Sequence, residues 1–395
     1  MGHGTSLRSN LFLATLGLSL LGAVMVYSAT YRDYGAHYLI VRAAHIVLGV
    51  VIFAVVRKIR YTTWRRVYPA FYLAVLAALL LVLVPGIGTE VGGARRWFDL
   101  GFLSLQPSEF AKLAAIFVAS FALARYRPGR KFPVGALAAV GLLFLLVVAE
   151  PDFGTSLVIL SGVGGVLLAS EVRTRSLVSL GAVSAVLLVG VMLLEPYRRQ
   201  RFLAFLDPWS SARGSGYQIV QSMLAIKSGN LLGAGPGAGE RVAYIPEIRT
   251  DMVFALIGEE LGLIGMLVVI GVFVFVALAG YRIALGAPTT AARCVAAGIT
   301  TMLTVQAVFN VGAATGVLPL AGMTLPFVSY GGSSLMVSFA AVGILYRISE
   351  DSERVREVDA GASASEDTDS GRRDGRARDP RAVRGRGARR AGGHG

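Results

Sequence analysis

Charged side chains set within apolar runs are costly to keep there, so each one needs a partner or a task. Glu109 and Lys112 stand three residues apart in Gln106-Pro107-Ser108-Glu109-Phe110-Ala111-Lys112, which puts both on one face of a helix. Pro107 and Ser108 ahead of them are helix-start residues. Two readings follow: an ion pair that ties a helix bundle together, or the wall of a polar cavity where Lys112 binds an anion such as phosphate. Asp251 closes the run Pro246-Glu247-Ile248-Arg249-Thr250-Asp251, directly ahead of another apolar stretch. Thr250 or Asp251 could simply cap that helix. Alternatively, the helix dipole favours the carboxylate while desolvation opposes it, a balance that suits a general base.

Other polar residues have similar double readings. Glu259 and Glu260 lie two turns deeper and project about 100° apart, so they need separate partners. A proton relay and structural hydrogen bonds both fit them. Asp152, in Glu150-Pro151-Asp152-Phe153-Gly154-Thr155, has the place of an N-cap. Arg42 and His45 stand where long side chains snorkel, with Asp33 a partner within reach. The segment Leu325–Ser334 (LPFVSYGGSS) has the Pro, Gly-Gly and Ser-Ser of non-helical backbone lining a cavity, or of a plain loop. Gly233–Gly239 superficially matches a dinucleotide loop, but it follows no strand and contains a Pro.

The elements that must hold these residues follow from composition. Of 395 residues, 54% are hydrophobic and 16% charged, against about 25% charged in soluble domains. The mean hydropathy is +0.63. That excludes an ordinary soluble globule and predicts an all-α polytopic membrane protein. One cysteine, Cys294, excludes a disulfide framework and a Cys-based metal site. Ten apolar runs are candidates for crossing a membrane, near 11–28, 38–56, 67–84, 109–124, 133–149, 155–170, 177–194, 252–279, 294–311 and 332–347. The first, Leu11–Tyr27 after Arg8, is read as a spanning helix rather than a signal peptide.

The net charge of +14 suggests nucleic acid until it is placed along the chain. Residues 350–395 hold eleven Arg and ten acids, leaving the excess among the apolar runs. Fifteen Lys and Arg fall on one side of the alternation: Arg8, Arg57, Lys58, Arg60, Arg65, Arg66, Arg125, Arg127, Arg130, Lys131, Arg173, Arg175, Arg282, Arg293 and Arg347. The short loops opposite hold three, Arg32, Arg95 and Arg96. The asymmetry puts both termini in the cytoplasm and supports an even number of crossings; the fourth, sixth and tenth runs are short or interrupted and could instead be re-entrant, a range of eight to ten. One long outer loop, 195–251, is expected to contain an amphipathic stretch (Tyr197–Trp209) and a short helix (Tyr217–Lys227). The chain divides into a transmembrane domain, 1–349, and a charged tail, 350–395, too poor in apolar residues to fold.

Seven stretches taken in order resemble the SEDS proteins (shape, elongation, division and sporulation) of the bacterial envelope. They are Gln106–Lys112, Glu150–Thr155, Phe205–Trp209, Gly216–Ser222, Gly258–Gly262, Asn310–Gly312 and Leu325–Ser334. The resemblance covers about residues 10–349. Glu195-Pro196-Tyr197-Arg198, Asp207-Pro208-Trp209 and Val311–Ala314 lie closer to the division member than to the elongation member. It implies ten transmembrane helices and a glycosyltransferase that polymerises lipid II into peptidoglycan strands at the outer face of the cell membrane, in septal wall synthesis. The alternatives are the elongation polymerase, a lipid II flippase and a scaffold.

The implied partners are a class B penicillin-binding protein, which is a transpeptidase, and other divisome proteins, with no nucleic acid. The family's essential acid falls on Asp251, the expected catalytic residue and base. Its paired polar residues fall on Glu109 and Lys112. The expected substrate-binding set is Glu109, Lys112, Arg95, Arg96, Glu247, Arg249, Glu259 and Ser333, with no resident metal and at most a divalent cation, Mg or Mn, assisting. Arg249, Met252 and Ala43 depart from the usual His, Phe and Gln of the family.

Overall fold

An apolar run without charge is most easily accommodated as a helix, which satisfies its own backbone. The computed structural model describes residues 2–91, 93–99, 101, 104–126, 133–172, 174–194, 196–241 and 244–375. Arg127, Arg130, Lys131 and Arg173 of the orientation count, Glu195 and residues 376–395 lie outside them. In chain order the helices are α1 (Gly2–Tyr34), α2 (His37–Val56), α3 (Tyr61–Val82), α4 (Pro107–Leu123), α5 (Val134–Ala149), α6 (Phe153–Ala169), α7 (Thr174–Leu194), α8 (Pro196–Leu206), α9 (Tyr217–Ser228), α10 (Val253–Leu285), α11 (Thr290–Ala314) and α12 (Gly332–Gly375).

Each of the ten apolar runs is a helix, and α8 and α9 lie in the long loop. Among the described residues six helices are long and apolar enough to cross a membrane. They are Ser6–Tyr34, His37–Val56, Thr62–Val82, Val253–Leu285, Thr290–Ala314 and Gly332–Val358. The α5 and α6 helices are apolar but shorter.

The chain is not purely helical. Between α3 and α4 a three-stranded antiparallel sheet forms from β1 (Thr89–Val91), β2 (Ala94–Asp99) and β3 (Ser104–Leu105). The β1 and β2 strands pair Glu90 with Arg95 and Val91 with Ala94, and Gly93 of their connection has φ 77°. A Gly-Gly pair between two short strands is a hairpin signal, but strands this short leave no alternation to read.

Residues 1–351 form one compact unit, and residues from 352 on form another. The second unit is helical to Gly375. This differs from the expected unstructured tail; Glu353 and Arg356 there have the i,i+3 spacing that supports a helix.

The α4 helix is buried along most of its length and packs against α3, α5, α6 and α11. The α6 and α11 helices meet through Gly162 and Gly298. A Cβ built on Gly298 would stand 3.1 Å from the Gly162 carbonyl. Small residues of this kind let helix backbones approach closely where the solvent is itself apolar.

The α10 helix is not continuous. Gly262 breaks it with φ 66° and ψ −165°. The backbone groups freed by the break are satisfied from the Gly-rich loop. Ala234 N donates to Glu259 O (2.9 Å), Gly235 N to Glu260 O (3.0 Å), and Leu263 N to Asn230 O (2.9 Å). A side chain at Gly262 would enter the backbone of Leu231 and Gly233. Gly262→Ala is therefore expected to lower the stability of the detergent-solubilised protein by about 1–3 kcal/mol or more. Gly271→Ala, in the same helix with open space around it, should be neutral or stabilising by roughly 0.5 kcal/mol. Thermal unfolding of the two variants side by side checks both.

Candidate active site

The turn ahead of α10 is built on one residue. Glu247 has φ 53°, and its carbonyl accepts the N–H groups of Thr250 (3.1 Å), Asp251 (3.0 Å) and Met252 (3.2 Å). Thr250 Oγ1 donates to Glu247 Oε2 at 2.8 Å. The N-cap of α10 is Met252, and no side chain caps it. Neither Thr250 nor Asp251 has the capping role, and the Asp251 carboxylate is left available for other work.

The turn is held from outside by three consecutive carbonyls. Tyr330 N donates to Arg249 O at 2.8 Å, Ser329 Oγ donates to Thr250 O, and Asn310 Nδ2 donates to Asp251 O at 2.8 Å. Asn310 also donates to Met323 O at 2.7 Å, so α11 ties the turn to the segment after it. Gly322 lies beside the Asp251 carboxylate, where a Cβ would stand 3.6 Å from Oδ2.

Electrostatics single out two carboxyls. Asp251 is pushed up to about 7 from an ordinary 3.8, first by desolvation, then by the Glu247 charge. Arg201 of α8 opposes the rise, Asp152 adds to it, and Arg96 of β2 opposes it. Glu150, with no exposed surface and no hydrogen-bond partner for either carboxyl oxygen, is pushed up to about 9, first by desolvation and then by Asp152, against the nearby Arg96 charge. It is a neutral acid at pH 7. The sequence had marked Glu150 only as part of a motif, since its burial is set by elements distant in the chain.

Arg96 Nε donates to Glu150 O at 2.7 Å and its Nη2 to Pro151 O at 2.8 Å. Asp152 caps α6, accepting Thr155 N at 3.0 Å, and its other oxygen accepts Gln106 Nε2 at 2.9 Å. Asp251, Glu247, Arg96, Arg201, Glu150 and Asp152 thus form one electrostatic group drawn from four separate stretches of chain.

The remaining expected residues divide. The Arg249 guanidinium lies over two aromatic rings, 4.6 Å from the Tyr38 ring centre and 5.9 Å from that of Tyr34. It lines, with Glu247, Ser28, Arg32 and Glu260, a cavity of about 320 Å³ whose lining does not include Asp251. Arg95 pairs with Glu90 on the surface at 2.9 Å. Glu259 Oε1 accepts Arg241 N at 2.9 Å, and Glu260 accepts Gly237 N at 3.2 Å, so both acids anchor the Gly-rich loop. Ser333 Oγ accepts Gln106 N and donates to Ser104 O, both at 2.9 Å.

Glu109 and Lys112 pair at 2.6 Å with both side chains buried. Lys112 Nζ donates to Gln306 Oε1 (3.0 Å), and Gln306 Nε2 donates to Thr324 O (2.9 Å). The pair supports the segment next to Met323 without touching Asp251. Among the described residues no three His, Cys, Asp or Glu side chains converge as a metal-holding set.

Removing one partner of a buried ion pair strands the other. Glu109→Gln or Lys112→Met alone should cost about 3–5 kcal/mol of stability, and the double variant should recover most of it. A double-mutant cycle on unfolding midpoints measures this.

Comparison with known proteins gives the arrangement a context. A family model described as cell cycle protein and named for FtsW, RodA and SpoVE matches residues 8–354. Stage V sporulation protein E of Bacillus subtilis is 38% identical over 350 residues, 86% of this chain and 96% of that protein. "Probable peptidoglycan glycosyltransferase FtsW" of Geobacter sulfurreducens is 38% identical over 353 residues, covering 86% and 94%. Among solved structures, a chain from work on the structural coordination of polymerization and crosslinking by a peptidoglycan synthase complex superposes with a TM-score of 0.74, at 31% identity, covering 87% and 97% of the two chains. The crystal structure of Thermus thermophilus rod shape determining protein RodA gives 0.66 at 27% identity, covering 87% and 96%. With a family match over most of its length and relatives at this identity, the chain belongs to the FtsW, RodA and SpoVE family of cell cycle proteins.

Proposed function

We propose that this protein is a peptidoglycan glycosyltransferase that polymerises lipid II at the outer face of the cell membrane during septal wall synthesis. It would act beside a class B penicillin-binding protein that cross-links the product. The observation that carries the reading is the Asp251 carboxyl, which caps no helix, stands on a turn whose three carbonyls are held by Tyr330, Ser329 and Asn310, and is raised to about 7. A group at that value divides its time between accepting and holding a proton at neutral pH, as a general base requires. Relatives with division and sporulation names at 38% identity support a septal role. The synthase complex among the similar structures supports a cross-linking partner. The fifteen-to-three split of cations supports ten crossings with the 195–251 loop outside.

In the reaction, an acceptor sugar hydroxyl attacks the donor's anomeric carbon with inversion. The new C–O bond forms as the bond to the polyprenyl pyrophosphate breaks. The hydroxyl proton passes to Asp251, and the electron pair leaves with the pyrophosphate. Arg96 and Arg201, whose charges already act on Asp251, would stabilise the negative charge that develops. Transport of lipid II, the rival class, would need free charges at membrane depth. Glu109 and Lys112 are paired with each other, and one oxygen of each of Glu259 and Glu260 holds the loop while its other oxygen has no hydrogen-bond partner.

Asp251→Asn should abolish polymer formation from labelled lipid II in detergent, where no membrane sides exist, while leaving insertion and partner binding intact. Polymerisation at the wild-type rate would refute the assignment. The base works as the carboxylate, so the rate should rise with pH through about 7 and level off above it. Glu247→Gln removes a neighbouring negative charge that raises the group, so the rising limb should move to lower pH. Arg96→Ala removes an opposing cation, and the limb should move to higher pH. A pH–rate profile of the three proteins decides.

A further inference from the structure

Arg42 of α2 has no exposed surface, and none of the described carboxylates pairs with it. It does not reach Asp33, as a snorkelling side chain would. Its Nη2 donates to two adjacent carbonyls, those of Phe327 and Val328 (3.1 Å), while Nε and Nη1 have no hydrogen-bond partner. A buried charge left this way is a cost to the fold. The carbonyls it holds belong to a strained turn, since Phe327 is a non-glycine residue at φ 66°. The same turn is pinned from α1, where Gly22 leaves no room for a Cβ against Val328 O.

From that turn the connection to Asp251 is short and wholly polar. Ser329 N donates to Leu325 O (3.0 Å), and Leu325 N returns a bond to Ser329 Oγ (2.8 Å). Ser329 Oγ then donates to Thr250 O, and Tyr330 N to Arg249 O at 2.8 Å. The two residues next to those Arg42 grips are therefore two of the three that hold the base's own turn, Asn310 being the third.

We propose that Arg42 is a positioning residue for Asp251, fixing the base through the carbonyls of Phe327 and Val328 and the bonds of Ser329 and Tyr330. It rests on the reading of Asp251 as the base. A residue kept only for stability would be replaced without loss by an apolar side chain of similar length, because the replacement removes an uncompensated charge. A positioning residue would not, since displacing a reactive group by about 1 Å costs on the order of 100-fold in rate.

The test compares Arg42→Met, Arg42→Lys and Ser329→Ala as full-length proteins with lipid II in detergent. Arg42→Met should keep or raise the thermal midpoint and keep KM within about twofold, while kcat falls on the order of 10- to 100-fold. Arg42→Lys, which retains one donor group, should recover part of kcat. Ser329→Ala should give the same split of kcat from KM. Its combination with Arg42→Met should lose less than the product of the two losses, because both act through one connection.

Hydrogen exchange gives a readout independent of catalysis. Amides of 323–331 and 247–252 should exchange faster in Arg42→Met, and those of α4 should not. If Arg42→Met does not survive solubilisation, Ser329→Ala alone supplies the kinetic and exchange measurements. Wild-type turnover in Arg42→Met or, in its absence, Ser329→Ala overturns the proposal. So do multiplicative losses, or exchange that quickens equally in α4. Should Asp251→Asn prove active, the base reading fails by that variant alone, and the exchange result still reports whether Arg42 holds the turn.

Discussion

A hydrocarbon layer offers no hydrogen-bond partners, so backbone that leaves a helix there must find its partners within the protein. This constraint orders most of the structure around the candidate site. Gly262 opens α10, and the loop 230–239 closes the gap by presenting its own N–H and C=O groups to the freed ones. The segment 321–331 leaves helical geometry between α11 and α12, and Asn310, Ser329 and Arg42 take up its carbonyls and N–H groups or pass them on to the next turn. Irregular backbone is the costly component here, and it is concentrated where Asp251 lies.

The buried charges follow the same economy. Lys112 neutralises Glu109 and gives a second donor to Gln306. Glu259 and Glu260 accept loop N–H groups. Glu150 avoids the problem by keeping its proton. Asp251 stands between these solutions: it has neighbours of both signs and no ion-pair partner of its own among the described residues. That intermediate state separates a group that could do chemistry from groups that hold the fold.

Much of this was legible in the sequence, for local reasons. Ten apolar runs marked ten helices, because length and hydropathy are properties of a segment. Asp152 was legible as a cap because capping needs only the next three residues. Asp251 stood out as an acid at the head of an apolar run, yet its release from capping was hidden, because Met252 takes that place only once Glu247 adopts positive φ. The sheet at 89–105 escaped notice because its strands are too short to alternate. The break at Gly262 looked like one of many glycines in an apolar helix. The partners of Glu150, Arg42 and Glu259 come from remote segments and leave no trace in their neighbours.

The α8 helix exposes Leu203 and Leu206, and Trp209 just beyond it is also exposed. This is the kind of apolar and aromatic face that rests in the headgroup layer of a bilayer. Arg201 lies on that same helix and is one of the two cations that lower the Asp251 carboxyl. The charge environment of the site is therefore not a property of the protein interior alone. It includes a cation carried on a helix whose apolar and aromatic face is open to the surroundings, which couples the interface of the membrane to the proton affinity of one carboxyl.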